Sequence, residues 1–454
     1  MADTVEGLLA FAREEMRQLS DEGCDTWELE RRADLIERDS APDRLQRARS
    51  LCEALSRLAP PDGFPYEEPD DLAAIRARRP DGPRRIAVPL PDDILEDRTL
   101  GAWLGRAAGC MLGKPVEGWQ RERILDLMAG IGLADLTDYL PDAAAGAGGR
   151  LVPEDQRPAL RGNFDRALRD DDMDYTVVNL CILERNGRDF TPRHVAESWL
   201  RHLPYACTYT AERAAYANFV AGRWPPQSAT HRNPCREWIG AQIRADAFGY
   251  ACPARPEEAA GLAYKDACIS HVKNGLYGAM WVAAMVASAF ATDDPARVVR
   301  FGLSEIPARS RLSEAIGRVL RWRDDGLSAE QATDRILEEF GRYHRVHTIN
   351  NAAIVAMALL WGEGDFSRAV SLAVMAGLDT DCNGATVGSV MGAMLGASAI
   401  PGHWTAPLND RLDTIVAGQT DLTFTGLAAR TRRVQQALRA EARASSQPSS
   451  SGGS

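Results

Sequence analysis

The sequence predicts an all-α fold, and three observations carry that expectation. Apolar residues recur three and four apart in segment after segment, as in RLSEAIGRVLRW, AEQATDRILEEFGRY and NNAAIVAMALLWG, which is the period of a helix with one buried face. No run alternates apolar and polar residues in the manner of a half-buried strand. Finally, Gly384, Gly388, Gly392 and Gly396 recur every four residues. Glycine costs a helix about 1 kcal/mol per position relative to alanine, so such a stripe requires close approach of another helix, and this helix is expected to be the central one.

The elements follow in order. Residues 1–58 read as a helical N-terminal extension, rich in Glu, Arg and Leu at helical spacing. Residues 59–97 contain PPDGFPYEEPDD and RRPDGPRR; these breakers mark a Pro-rich linker that either wraps the next unit or hangs free. From 98 to 440 the helical signal repeats, and this stretch is read as one all-α domain. It opens with GAWLGRAAGCMLGKPVEGW. Within it, Pro141–Arg150 (PDAAAGAGGR) has the composition of a flexible loop. The tail 441–454 lacks the apolar content to pack and is expected to be disordered. Gly275–Ala291 and Ala385–Ile400 are apolar but too short for a membrane span and rich in small residues, so both read as buried helices.

Charge and cysteine usage narrow the function. The 454 residues carry 53 Lys+Arg against 64 Asp+Glu, a net charge of -11. An acidic surface repels a phosphodiester backbone, which argues against a nucleic-acid partner but leaves room for a small phosphorylated substrate in one local pocket. Nine cysteines are scattered with no CxxC pair, the pattern of reduced thiols in a cytoplasmic protein. The first residues show no basic region followed by a long apolar one, so no secretory signal is expected.

Two acidic constellations stand out. Asp170, Asp171, Asp172 and Asp174 lie together in ALRDDDMDYTVVNL, and Asp379 and Asp381 in AGLDTDCNGATVG. Carboxylates about 4 Å apart repel by ~4 kcal/mol at an effective dielectric of 20 and by ~1 kcal/mol in water. The first run is therefore either a solvated loop or a site where cations separate the charges. The second lies between two apolar segments. One aspartate there is explained as a helix N-cap; the other is left over, and hard carboxylate oxygens suit Mg or Mn. A third element, Gly113-Lys114-Pro115-Val116-Glu117, is a turn presenting Glu117, or simply a surface glutamate in a tight turn.

Together and in this order, these pieces resemble the ADP-ribosylglycohydrolase family. The resemblance covers roughly residues 98–400. It rests on a G-x-x-x-G-x-x-x-G helix ending in G-x-P-x-E (Gly101 to Glu117), a counterpart of [ST]-D-D-T at Asp170-Asp171-Asp172-Met173, and G-x-D-T-D at Gly377–Asp381. It implies an all-α hydrolase with two magnesium ions acting on an ADP-ribose-like or ribosylated substrate. It assigns metal ligation to Asp170, Asp171, Asp172, Asp379 and Asp381, and catalysis to Glu117 and Asp172. Asp174, His271, Asn274, Cys382 and Asn383 are the further substrate-binding candidates. Asp381 and Asp171 are expected to be indispensable for turnover. Two departures matter: Met173 and Cys382 replace threonines of the family pattern. A thiol is a poor ligand for hard Mg²⁺, so one metal is expected to be weakly held or differently ligated.

The chemistry the resemblance implies is loss of an N-glycosidic bond to ribose through an oxocarbenium-like transition state, with Glu117 positioning water or moving protons. His271 and Asn274 also read as buried polar core residues. His344 and His347 have zinc-like HxxH spacing but no third ligand, and Asn350 and Asn351 are pocket candidates. Two rivals remain. Asp170-Asp171-Asp172-Met173-Asp174 fits the D-D-x-x-D of a terpene synthase-like lyase, although its second metal motif is missing and Gly377–Asp381 has no place in that scheme. The threonine departures also suit a family member that binds ADP-ribose without cleaving it.

Overall fold

A computed structural model describes residues 4–145 and 152–446, with helices joined by turns and 3-10 segments. Among the described residues there is no strand, only isolated bridges such as Trp238 to His347. No described helix is long and apolar enough to cross a membrane.

The centre of the molecule is an antiparallel pair of glycine helices, Asp92–Gly113 and Thr380–Leu395. Gly101, Gly105 and Gly109 face Gly392, Gly388 and Gly384 so closely that a Cβ added to Gly109 would sit 1.9 Å from the Gly384 carbonyl oxygen. One added to Gly388 would sit 2.0 Å from that of Gly105. The predicted close approach is thus met by a second stripe, on the helix that opens the domain. Gly396 is not part of the helical stripe: it caps the helix end with φ +88°, against Asp97. The first glycine helix also begins at Asp92 rather than near residue 98. Pro91 precedes it, and Asp92 and Asp93 occupy its first turn, where carboxylates complement the helix dipole.

Around this pair pack the helices Lys273–Ala289 and Thr348–Gly362, both buried along nearly their whole length. Lys273–Ala289 and the second glycine helix hold most of Gly275–Ala291 and Ala385–Ile400, the two segments read above as buried helices. The N-terminal helices Val5–Asp21, Trp27–Arg38 and Arg44–Leu55 gather a separate apolar core from Leu9, Met16, Ile36 and Leu51. The Pro-rich segment wraps the body. Glu67 N–H donates to the Arg309 carbonyl at 2.8 Å and Ile86 N–H to that of Ala254 at 2.9 Å, while Asp71 caps a short helix, Leu72–Arg78. Residues 146–150 of the expected loop lie outside the described residues. So do 447–454 of the expected tail, whose first residues instead continue the last helix, Phe424–Ser446.

Candidate metal centre

The end of the glycine pair builds the site. Gly113 closes its helix against the partner: a Cβ there would lie 2.2 Å from the Thr380 carbonyl oxygen, and the Thr380 hydroxyl donates back to the Gly113 carbonyl at 2.8 Å. The chain then turns through Lys114–Val116, which presents Glu117. Gly118 N–H donates to the Leu378 carbonyl at 2.8 Å, and Leu378 N–H to that of Trp119 at 2.9 Å. These two bonds zip the Glu117 turn to the Asp379 turn. The geometry requires left-handed backbone at Gly377 (φ +79°) and at Leu378 (φ +66°). Gly377 has no space for a side chain, while Leu378 holds a strained conformation of the kind that concentrates at functional sites.

Three groups of side chains bring ligand atoms within 4.8 Å of one another: Glu117 with Asp379 and Asp381, Asp172 with Asp381 and Cys382, and Cys110 with Asp170 and Asp172. Segments more than two hundred residues apart thus converge on one acidic centre. Asp379 occupies the N-cap position of its helix yet makes no capping bond with its side chain, so capping does not account for it. Asp381 Oδ1 is buried with no hydrogen-bond partner. Unpaired carboxylate oxygens facing other carboxylates are costly, and an all-oxygen donor set of this kind fits a hard divalent cation.

The electrostatics agree with that reading. Burial, then the charges of Glu117 and Asp379, push the Asp381 carboxyl well above the usual range. Burial also raises Asp379, with Asp381 and Cys382 partly offsetting it through hydrogen bonds. Glu117 reaches solvent at the mouth, but enclosure by protein and the charges of Asp379 and Asp170 push it up to about 7.

Asp170 behaves differently from the others. Its Oδ1 caps the helix Asp171–Asn186, accepting from Asp172 N–H at 3.0 Å, and its Oδ2 pairs with the Lys114 ammonium. Burial would raise its carboxyl, but Lys114 holds it below the usual value. Asp172 is fully buried, with Arg106 Nη2 at 3.1 Å from its Oδ1; Arg106 also pairs with Asp246 at 2.9 Å. Asp171 is partly exposed and joins none of the three groups, although Glu117 contributes to raising its carboxyl after burial and Asp170.

Of the further candidates, Cys382 and Asn383 lie at the centre and the rest do not. Asn383 Nδ2 donates to Asn351 Oδ1 at 2.8 Å, and the same oxygen accepts from Asp379 N–H at 3.3 Å. Asn351 thereby holds the Asp379 turn. Asp174 spends its oxygens on Arg169, Thr414 and the Ile415 amide. Asn274 binds Glu68, Glu237 and the Leu312 amide. His271 is buried beside the Ser270 hydroxyl at 2.8 Å, and burial pushes its pKa well down. His347 caps the helix Thr348–Gly362 through Nδ1, and burial lowers it to about 3. Neither His344 nor His347 belongs to a metal-capable group among the described residues.

Lys114 and Arg106 escaped the sequence reading. Arg106 left a signal: the lone charge among the glycines, alanines and apolar residues of 99–113 needs a buried partner. Lys114 left only its place inside G-x-P-x-E.

The family model for ADP-ribosylglycohydrolase matches residues 91–439. Among solved structures, one described as an ADP-ribosylglycohydrolase-related protein complex aligns over 76% of this chain and 99% of its own. The identity is 23% and the TM-score 0.46. No curated protein matches the chain. The family match, with Asp174 committed to Arg169 and Thr414, leaves the terpene synthase reading without support.

Proposed function

Because the chain belongs to the ADP-ribosylglycohydrolase family, a family of glycoside-cleaving hydrolases, we propose that it hydrolyses the N-glycosidic bond to ribose in an ADP-ribose-like substrate. The substrate is either an ADP-ribosylated protein side chain or a small nucleotide-like riboside, and magnesium is the required cofactor. One observation carries the reading: Glu117, Asp379 and Asp381, from two distant segments, meet with an unpartnered buried oxygen on Asp381.

Glu117, Asp379 and Asp381 are the residues that would hold the cation. When bound it supplies Lewis acidity to ribose oxygens and to water. The chain's own groups do the rest. Glu117, at the mouth of the site, is placed to orient the attacking water and to accept its proton. Asp172, whose carboxyl burial pushes well above the usual range while Arg106 pulls it down, would stabilise the oxocarbenium character of the departing ribose where a bound cation keeps it ionised. Asn351 fixes the Asp379 turn, so the carboxylates need not reorganise during reaction.

The test is incubation of the full chain with ADP-ribosyl-arginine, ADP-ribosyl-serine and simple N-ribosides, with chromatography of the products. Release of the free ribose-bearing product with Mg²⁺, and none with EDTA, is expected for at least one substrate. Binding of ADP-ribose without release from any substrate would instead establish a non-catalytic member.

A further inference from the structure

We propose that the Lys114 ammonium is a built-in cation that takes the place of one of two metals, so that this chain binds a single divalent ion, at Glu117, Asp379 and Asp381. The inference rests on the metal-dependent reading above. Both oxygens of Asp170 are committed, Oδ2 to Lys114 and Oδ1 to the Asp172 amide. Asp172 is paired with buried Arg106. The Asp170–Asp172 half of the centre is therefore partly compensated by the chain itself: Lys114 answers Asp170, and Arg106 is shared between Asp172 and Asp246. Its candidate groups each include a thiol, Cys110 or Cys382, a donor that hard cations avoid.

The other half is less compensated: burial and the neighbouring carboxylates raise Glu117 and Asp379, although Lys114 and Arg345 pull Glu117 down and Arg345 pulls Asp379 down. Its three donors are carboxylates, and Asp381 Oδ1 has no hydrogen-bond partner among the described residues. The sequence carries the same compensation. Asp170 stands where the resembling pattern has a neutral hydroxyl, adding one negative charge, and Lys114 adds one positive charge beside it. Lys114 is also rigidly placed, because it follows directly on Gly113, which is locked against Thr380.

Counting ions tests this without reference to turnover. The EDTA-stripped full chain is titrated with Mn²⁺ and free ion is measured by electron paramagnetic resonance, in parallel with Lys114→Met. One Mn²⁺ for the wild type and a second for Lys114→Met, or at least tenfold tighter binding, is the expected result. Two comparable ions in the wild type would overturn the inference and leave the hydrolase reading standing. No binding at millimolar Mn²⁺ would overturn the metal-dependent reading itself. One ion in both proteins with equal affinity would remove Lys114 from the role. Should Lys114→Met fail to fold, the wild-type count still decides between one ion and two.

Discussion

Asp381 shares two of the three ligand groups and has an oxygen with nothing to bind. Removing its charge acts in opposite directions on activity and stability. Asp381→Asn is expected to lower turnover by at least about 100-fold, more than the loss of an outer-shell partner. Metal-free Asp381→Asn should melt no lower than the metal-free wild type, because repulsion among carboxylates is relieved. Steady-state assay and thermal melting in EDTA check both halves, and a large fall in melting temperature would show that Asp381 is structural instead. Asp21 gives a separate test of pH. Burial and the charge of Glu237 raise its carboxyl to about 7, while Arg311, Arg342 and Arg17 pull the other way. The folded state thus holds this proton to higher pH than the unfolded chain, whose ordinary value is about 4. Its contribution is present below pH 4 and is lost as pH rises to about 7. Melting temperature in the wild type should therefore fall across that window more steeply than in Asp21→Asn.

At the scale of elements, the glycine pair sets how near the two halves of the centre stand. Gly388→Ala would put a Cβ 2.0 Å from the Gly105 carbonyl oxygen. Backbone against backbone cannot yield as a side chain can, so the cost is expected to be about 3 kcal/mol or more. Any folded fraction should bind metal more weakly, because Asp381 moves away from Glu117. Gly317→Ala is the control: it lies within the helix Arg311–Asp324 with only the tip of Arg321 near, at 3.6 Å. It should gain up to about 1 kcal/mol from helix propensity. Equal denaturant midpoints for the two variants would refute the packing argument. This pair was half legible in the sequence. A stripe at 384–396 announces close approach because only glycine lacks a Cβ, and the G-x-P-x-E turn and the Asp379 turn are local. Which helix answers the stripe, and that Lys114 meets Asp170, depend on contacts between residues dozens to hundreds of positions apart, which no local period encodes. Asp174 and Asn274 show the converse: their residue types suit a pocket, but the fold spends them on Thr414 and Glu237.

On the scale of the whole molecule, the N-terminal extension has its own apolar core but meets the body through charges. Arg236 pairs with Glu15 at 2.8 Å and Glu22 at 2.7 Å, and Lys273 with Glu22. Gln18 donates to Glu237 at 2.7 Å, and Arg311 joins Glu237 and Glu68. Burial would raise Glu237, yet Arg311 and its other cationic neighbours hold it well below the usual range, so the anion is kept. An interface of this kind fails differently from an apolar one. Breaking one buried pair leaves an uncompensated charge and costs about 3–5 kcal/mol. Water can relieve that cost only if the extension lifts away. Glu22→Leu leaves Lys273 without its ion pair and Arg236 with Glu15 alone, and is expected to release residues 1–58 as a folded unit without unfolding the body. Limited proteolysis should then cut between residues 56 and 66 at least tenfold faster than in the wild type, leaving a body fragment that still melts cooperatively. An unchanged cutting rate would mean that the ion pairs do not hold the extension in place. A body that melts along with the extension would mean that the two are one cooperative unit, despite their separate cores.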